Sequence, residues 1–117
     1  MIYLATPYSH TDPAVREKRF ETACRIMAAL MSEGWSVFAP IVYSHRLALH
    51  CALPLDWDYW KKFDTEMLES CDELWVVKME GWSTSKGIAA EIAIAIELGK
   101  KIIYMNETEL TDNRLRK

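Results

Sequence analysis

Two acids stand where the helical pattern calls for apolar residues. From about Ser85 to Leu98 the chain reads as a helix rich in alanine and isoleucine. Stepping about 100° per residue puts Ile88, Ile92, Ala95 and Ile96 on its inward face. Glu91 falls at the edge of that face, while Glu97 points to solvent. The segment Asp56 to Cys71 repeats the anomaly. Trp60, Met67, Leu68 and Cys71 form its apolar stripe, and Asp64 sits in the middle of it. A buried carboxylate is costly unless it is paired, hydrogen-bonded or neutralised. Asp64 could meet that need by capping a loop or by accepting from a Trp or Tyr donor. Glu91 could meet it with a lysine from a neighbouring loop. Two such acids on helices flanking one crevice also suit a site where water, a sugar and hydrogen-bond donors converge.

Ser83, Thr84, Ser85 and Gly87 gather where the second of these helices begins. Free N–H groups and the positive end of the helix dipole point outward there. Hydroxyls and backbone donors at such a spot suit a phosphate. Simple N-capping by Ser83 or Thr84 accounts for the same residues. The segment is neither a GxGxxG nor a Walker loop.

The elements that must position these groups alternate. "MIYLA", "SVFAP", "DELWVV" and "KKIIYM" read as short buried strands. A helix from Asp12-Pro13 to about Glu33, closed by Gly34, carries Phe20, Cys24, Met27 and Met31 on one stripe. Ile41 to Leu55 reads as a long loop with a single helical turn. A short last helix is expected from Asn106. The order β-α-β-loop-α-β-α-β predicts an α/β fold: a small flavodoxin- or Rossmann-like open parallel sheet of four or five strands, with helices on both faces. The simplest strand order is 2-1-3-4. Ligands in such sheets sit beyond the carboxyl ends of the strands. The site is therefore expected between the loop after Ala5, the loop after Val77 and the helix start near Ser85.

The 117 residues allow one domain, taken as 1–117. Half the residues are hydrophobic and 26% are charged, as in an ordinary globule. The formal net charge is -3, and no long Lys/Arg run is present. Nucleic acid is therefore not an expected partner, and the terminal "RLRK" reads as a solvated tail. No apolar run is long enough to span a bilayer, and no signal peptide is visible. The three cysteines, Cys24, Cys51 and Cys71, fit no metal spacing and read as reduced thiols of a cytoplasmic protein. A Cys51–His50 dyad is the sharper alternative for Cys51, with sequence adjacency as its sole support. No metal set and no cofactor are expected.

"IYLATPYS", "FDTEMLESCDELWVV" and "GWSTSKGIAAEIAIAIELGKK" together resemble the nucleoside 2-deoxyribosyltransferase superfamily, and in particular its 2'-deoxynucleoside 5'-phosphate N-hydrolase-like branch. The resemblance runs in order over most of the chain, carried by spacing more than by any single motif. It implies that Glu91 is the nucleophile at the anomeric carbon, Asp64 the acid at the leaving base, and Tyr3 a residue that orients Glu91. A serine six residues before the nucleophile, here Ser85, implies a 5'-phosphate contact. The first loop departs from the glycine-rich, arginine-bearing pattern. Ser9, His10 or Arg16 must substitute there if phosphate binds.

The activity implied is N-glycosidic cleavage of a (deoxy)nucleoside 5'-monophosphate through a glycosyl-glutamate. Asp64 would act as the acid with a raised pKa. Ser85, Ser83 and Gly87 would hold the phosphate. Among Trp57, Tyr59, Trp60 and Trp82, the loop residue Trp82 is the first candidate to stack the base. Alternatives are a deoxyribosyltransferase, a nicotinamide-nucleotide glycohydrolase and a non-catalytic nucleotide-binding module. The tail "TELTDNRLRK" matches nothing in the transferases, which leans towards hydrolysis. Ala89, Ala90, Ala93 and Ile94 leave the isoleucine-rich helix apolar nearly all round, so a homodimer or higher homo-oligomer is expected.

Overall fold

A computed structural model describes residues 1–111; the basic tail lies outside them. Four strands form one parallel sheet: β1 (Ile2–Ala5), β2 (Val37–Phe38), β3 (Glu73–Val77) and β4 (Lys101–Met105). Their order is β2-β1-β3-β4, as the alternation predicts. Tyr3 pairs in register with Phe38 on one side and Leu74 on the other.

Successive strand residues point to opposite faces. Ile2 and Leu4 join Ile26 and Leu30 of α1 (Pro13–Ser32) in one core, which also takes Trp75, Val77 and Leu110. Tyr3 and Ala5 turn to the other core, with Leu68 of α3 (Trp57–Ser70) and Ile88 and Ala95 of α4 (Lys86–Glu97). All four β1 residues are buried. Each fully buried aliphatic here contributes on the order of 1.5–3 kcal/mol. This alternation sends the Tyr3 ring, and no other residue of β1 but Ala5, beneath the helices that carry the two acids.

The helix ends follow from local chemistry. Asp12 caps α1 by accepting from the Ala14 N–H at 2.9 Å, with Pro13 at the first helical position. Ser85 caps α4 by accepting from the Ile88 N–H at 3.2 Å. Gly81 adopts φ 93°, a left-handed conformation that turns the chain into the 3-10 turn Trp82–Thr84, which precedes α4. A Cβ at Gly81 would also meet the tip of the Arg19 side chain, but it is the positive φ that calls for glycine there.

Three expectations need correction. Ile41 to Leu55 is not a loop: Pro40–Cys51 forms a helix, α2, started by Pro40 and ended by Ala52 in a left-handed conformation. Its buried residues are Pro40, Ser44, His45 and Ala48. Polar residues on the inward face broke the apolar periodicity that would have revealed it. In α1 the buried residues are Phe20, Thr22, Ala23, Ile26 and Leu30; Phe20 lies on the expected stripe, Met27 is half-buried against the core, and Met31 is exposed. In α4, Ile96 is 67% exposed, and the inward face is Ile88, Glu91 and Ala95. The short helix expected after Asn106 is present as α5 (Glu107–Thr111). No helix among the described residues is long and apolar enough to cross a membrane.

Candidate active site

Glu91 and Asp64 open on the same cavity. It has a volume of about 180 Å³ and lies beyond the carboxyl end of β1. Its walls come from four places. Thr6, Tyr8 and Ser9 follow β1; Pro40, Ile41 and Ser44 come from α2; Leu55, Asp56, Trp57, Trp60 and Asp64 enter and line α3; Ser85, Lys86, Gly87 and Glu91 belong to the start of α4. The loop after Val77 does not line it. The α2 helix, unexpected from the sequence, supplies that wall instead.

Each acid is 5% exposed. Tyr3, fully buried beneath them, donates its hydroxyl to Glu91 Oε2. Asp64 Oδ1 has no hydrogen-bond partner. Burial pushes the Asp64 carboxyl up to about 7. Burial likewise pushes Glu91 up to about 8; the Tyr3 hydrogen bond works against this, and the Asp64 charge adds to it. Tyr3 is itself raised well above the usual phenol range, by burial first and then by the charge of Glu91, so it remains a donor.

Burial raises both acids, and the Asp64 charge further discourages ionisation of Glu91. Burial weighs more on Glu91. The donor, however, sits at Glu91: Tyr3 favours an anion there, whereas Asp64 Oδ1 has no hydrogen-bond partner.

The start of α4 borders the cavity, and the first N–H groups of a helix have no partner within it. Ser85 Oγ accepts from Ile88, which leaves its hydroxyl proton to donate elsewhere. A Cβ placed on Gly87 would meet nothing but the Ser85 hydroxyl, at 3.9 Å, so the space above this turn is open. A second opening, lined by Tyr8, Ser9, His10, Arg16, Leu55 and Asp56, continues the cavity outward. Arg16 there donates to the His10 carbonyl.

Of the residues singled out from sequence, Glu91, Asp64, Ser85, Gly87 and Ser9 line the cavity, and Tyr3 lies behind Glu91. Ser83 and Trp82 do not. Ser83 is exposed on the 3-10 turn, and the Trp82 ring packs 5.9 Å from Tyr104 of β4. The left-handed turn at Gly81 aims Trp82 away from the cavity. Trp57 and Trp60 occupy the wall instead, and the Trp60 ring is fixed by donating to the Pro54 carbonyl at 2.8 Å. Cys51, exposed at the end of α2, is not part of the cavity. Among the described residues, no three His, Cys, Asp or Glu side chains gather into a metal-holding group.

Thr6 and Ser44 also line the cavity and were not singled out from sequence. His45 is 2% exposed and belongs to a closed network at the side of the cavity. Tyr8 Oη lies 2.5 Å from His45 Nδ1, and His45 Nε2 lies 2.9 Å from Glu17 Oε1. Arg46 donates to the other Glu17 oxygen at 3.0 Å. With Nε2–H donating to Glu17, Nδ1 is left to accept the Tyr8 hydroxyl proton. The His45 hydrogen bond holds the Glu17 carboxyl below its usual range, with Arg46 adding to it. Phe20 stacks on the imidazole at 4.5 Å.

The family described as Domain of unknown function (DUF1937) matches residues 1–107. No curated protein matches the chain.

Proposed function

The chain belongs to the DUF1937 family, and we propose that it is an N-glycosidase acting on a (deoxy)nucleoside 5'-monophosphate. The observation that carries this reading is the convergence of two buried carboxyls, from separate helices, on one cavity, with a tyrosine donating to one of them. Breaking an N-glycosidic bond builds positive charge at the anomeric carbon while the base departs with the bonding electron pair. Glu91 attacks that carbon and forms a glycosyl ester. Asp64 gives its proton to the departing base. Water then attacks the same carbon, Asp64 takes the water's proton, and the ester bond breaks to return Glu91. Two inversions give net retention.

Tyr3 is a positioning residue in this scheme: it fixes one Glu91 oxygen and favours the anion. Ser85, Gly87 and the free N–H groups at the α4 start hold the 5'-phosphate, with Ser9 and Arg16 on the outer side. Phosphate binding there orients the anomeric carbon towards Glu91. The site needs no cofactor for this chemistry.

A nucleotide-binding module without chemistry is the reading this arrangement least favours. Binding alone gives no reason to bury two mutually repelling acids. Transfer of the sugar to a second base differs in its acceptor alone, and it is recognised by a new nucleotide that forms when free base is added. The exposed face of α4, with Ala89, Ala93 and Ile96, is proposed to meet a second copy of the chain; a monomeric mass in solution removes that part.

The test is to incubate the protein with ribo- and deoxyribonucleoside 5'-monophosphates and measure free base. Release is expected from at least one, and its loss in Glu91→Gln. If no monophosphate yields base, the reading is wrong.

A further inference from the structure

Among the described residues, two buried side-chain polar atoms lack a hydrogen-bond partner: Asp64 Oδ1 and Thr6 Oγ1. Both residues are 5% exposed and both line the same cavity. A buried hydroxyl left unpaired costs about 1–3 kcal/mol. Thr6 stands at the carboxyl end of β1, where a valine would extend the buried strand without that cost. Asp64 has a role in the scheme above, but Thr6 has none.

Thr6 shares this cavity with a largely apolar wall. Pro40, Ile41, Leu55, Trp57 and Trp60 form broad apolar surfaces. Trp60 is held by Pro54 and by edge-on contact with Tyr43, at 5.9 Å between ring centroids. Tyr43 in turn stacks on Phe63 at 4.9 Å. These contacts set the orientation of the Trp60 ring. A sugar needs polar partners around much of its surface. A planar heterocycle needs apolar surface on its faces and a few polar atoms at its edge, as this part of the cavity supplies.

We infer that Thr6 is a specificity-determining residue whose hydroxyl hydrogen-bonds the edge of a heteroaromatic base lying against the Trp57–Trp60 wall. A hydroxyl both donates and accepts, so it can pair with a ring nitrogen, a carbonyl or an exocyclic amine. The inference rests on the nucleotide reading of the cavity and adds the residue that senses the base.

Binding of free bases separates this claim from cleavage. Adenine, hypoxanthine, cytosine, thymine and uracil are titrated by calorimetry into the wild type, Thr6→Val and Thr6→Ser, with ribose 5-phosphate as the control. At least one base binds the wild type. Thr6→Val weakens that base about tenfold, while Thr6→Ser stays close to wild type. Ribose 5-phosphate binds all three alike. Thr6→Val melts at or above the wild-type temperature, because an unpaired hydroxyl has been removed. Thr6→Ala measures the same loss should valine crowd the strand end. Equal base affinity with and without the hydroxyl overturns the inference. So does a loss confined to ribose 5-phosphate, or a wild type that binds no base at millimolar concentration. Base binding without any release of base from nucleotides leaves Thr6 in place and removes the glycosidase reading instead.

Discussion

Two clusters of titratable groups, one centred on the buried His45 and one on the buried Glu91, are built on opposite plans. Around His45, every polar atom has a partner: Tyr8 on one ring nitrogen, Glu17 on the other, and Arg46 on the far carboxylate oxygen. Around Glu91, two acids share a low-dielectric space, one donor serves them, and Asp64 Oδ1 is unpaired. The first plan ties α1 to α2 and is complete without a ligand. The second leaves one carboxylate oxygen without a partner. Buried polar groups are ordinarily satisfied, so incompleteness at a cavity marks function more reliably than burial or charge alone.

The contrast predicts opposite responses to removing the groups. His45→Ala strips the closed network, leaves the Tyr8 hydroxyl and Glu17 without their partner, and opens a void beside Phe20. A loss of about 2–4 kcal/mol in chemical denaturation is expected. A loss near zero would mean that the network is not holding the helices together.

Neutralising the acid pair should instead stabilise the protein at high pH. Both carboxyls are raised in the folded state, from ordinary values of 3.8 and 4.5 to about 7 and about 8. Between those limits the folded chain binds more protons than the unfolded one, so stability falls as pH rises. Their favourable contribution is fully present below about pH 4 and is lost as pH climbs through the folded values. The wild type is therefore less stable at pH 9 than at pH 5. The double variant Asp64→Asn, Glu91→Gln flattens this slope and gains on the order of a few kcal/mol at pH 9. Parallel pH profiles for the two proteins would show that the acids are not buried as described.

The smallest effect sharpens the phosphate side. Gly87→Ala replaces a helical glycine in open space, and helix propensity favours it by about 0.5–1 kcal/mol. Its methyl projects towards the turn proposed to hold phosphate, so nucleotide affinity should fall while the melting temperature rises. Unchanged affinity for a nucleoside monophosphate would move the phosphate elsewhere.

The strands and their order were legible because short apolar runs alternated with helices, and connection rules left few arrangements. The two acids were legible because a carboxylate on an apolar stripe is an anomaly of pattern. Helix α2 was hidden by the same reasoning run backwards: Ser44 and His45 lie on its buried face, so its apolar period is broken. Trp82 looked better placed than Trp57 and Trp60 because it precedes the helix start in sequence. The left-handed conformation of Gly81, a backbone property, decides otherwise. Thr6 carries no pattern at all; an unpaired hydroxyl is visible in three dimensions alone.

The central claim is that Glu91 and Asp64 act on one anomeric carbon, and release of free base from nucleoside 5'-monophosphates tests it most directly. The wild type should release base from at least one of them. Asp64→Asn should slow release by about 10²–10⁴-fold, and Glu91→Gln should abolish it, with nucleotide binding retained in both. Base release that persists at the wild-type rate in Glu91→Gln, or a wild type that binds nucleotide and never releases base, would contradict the account.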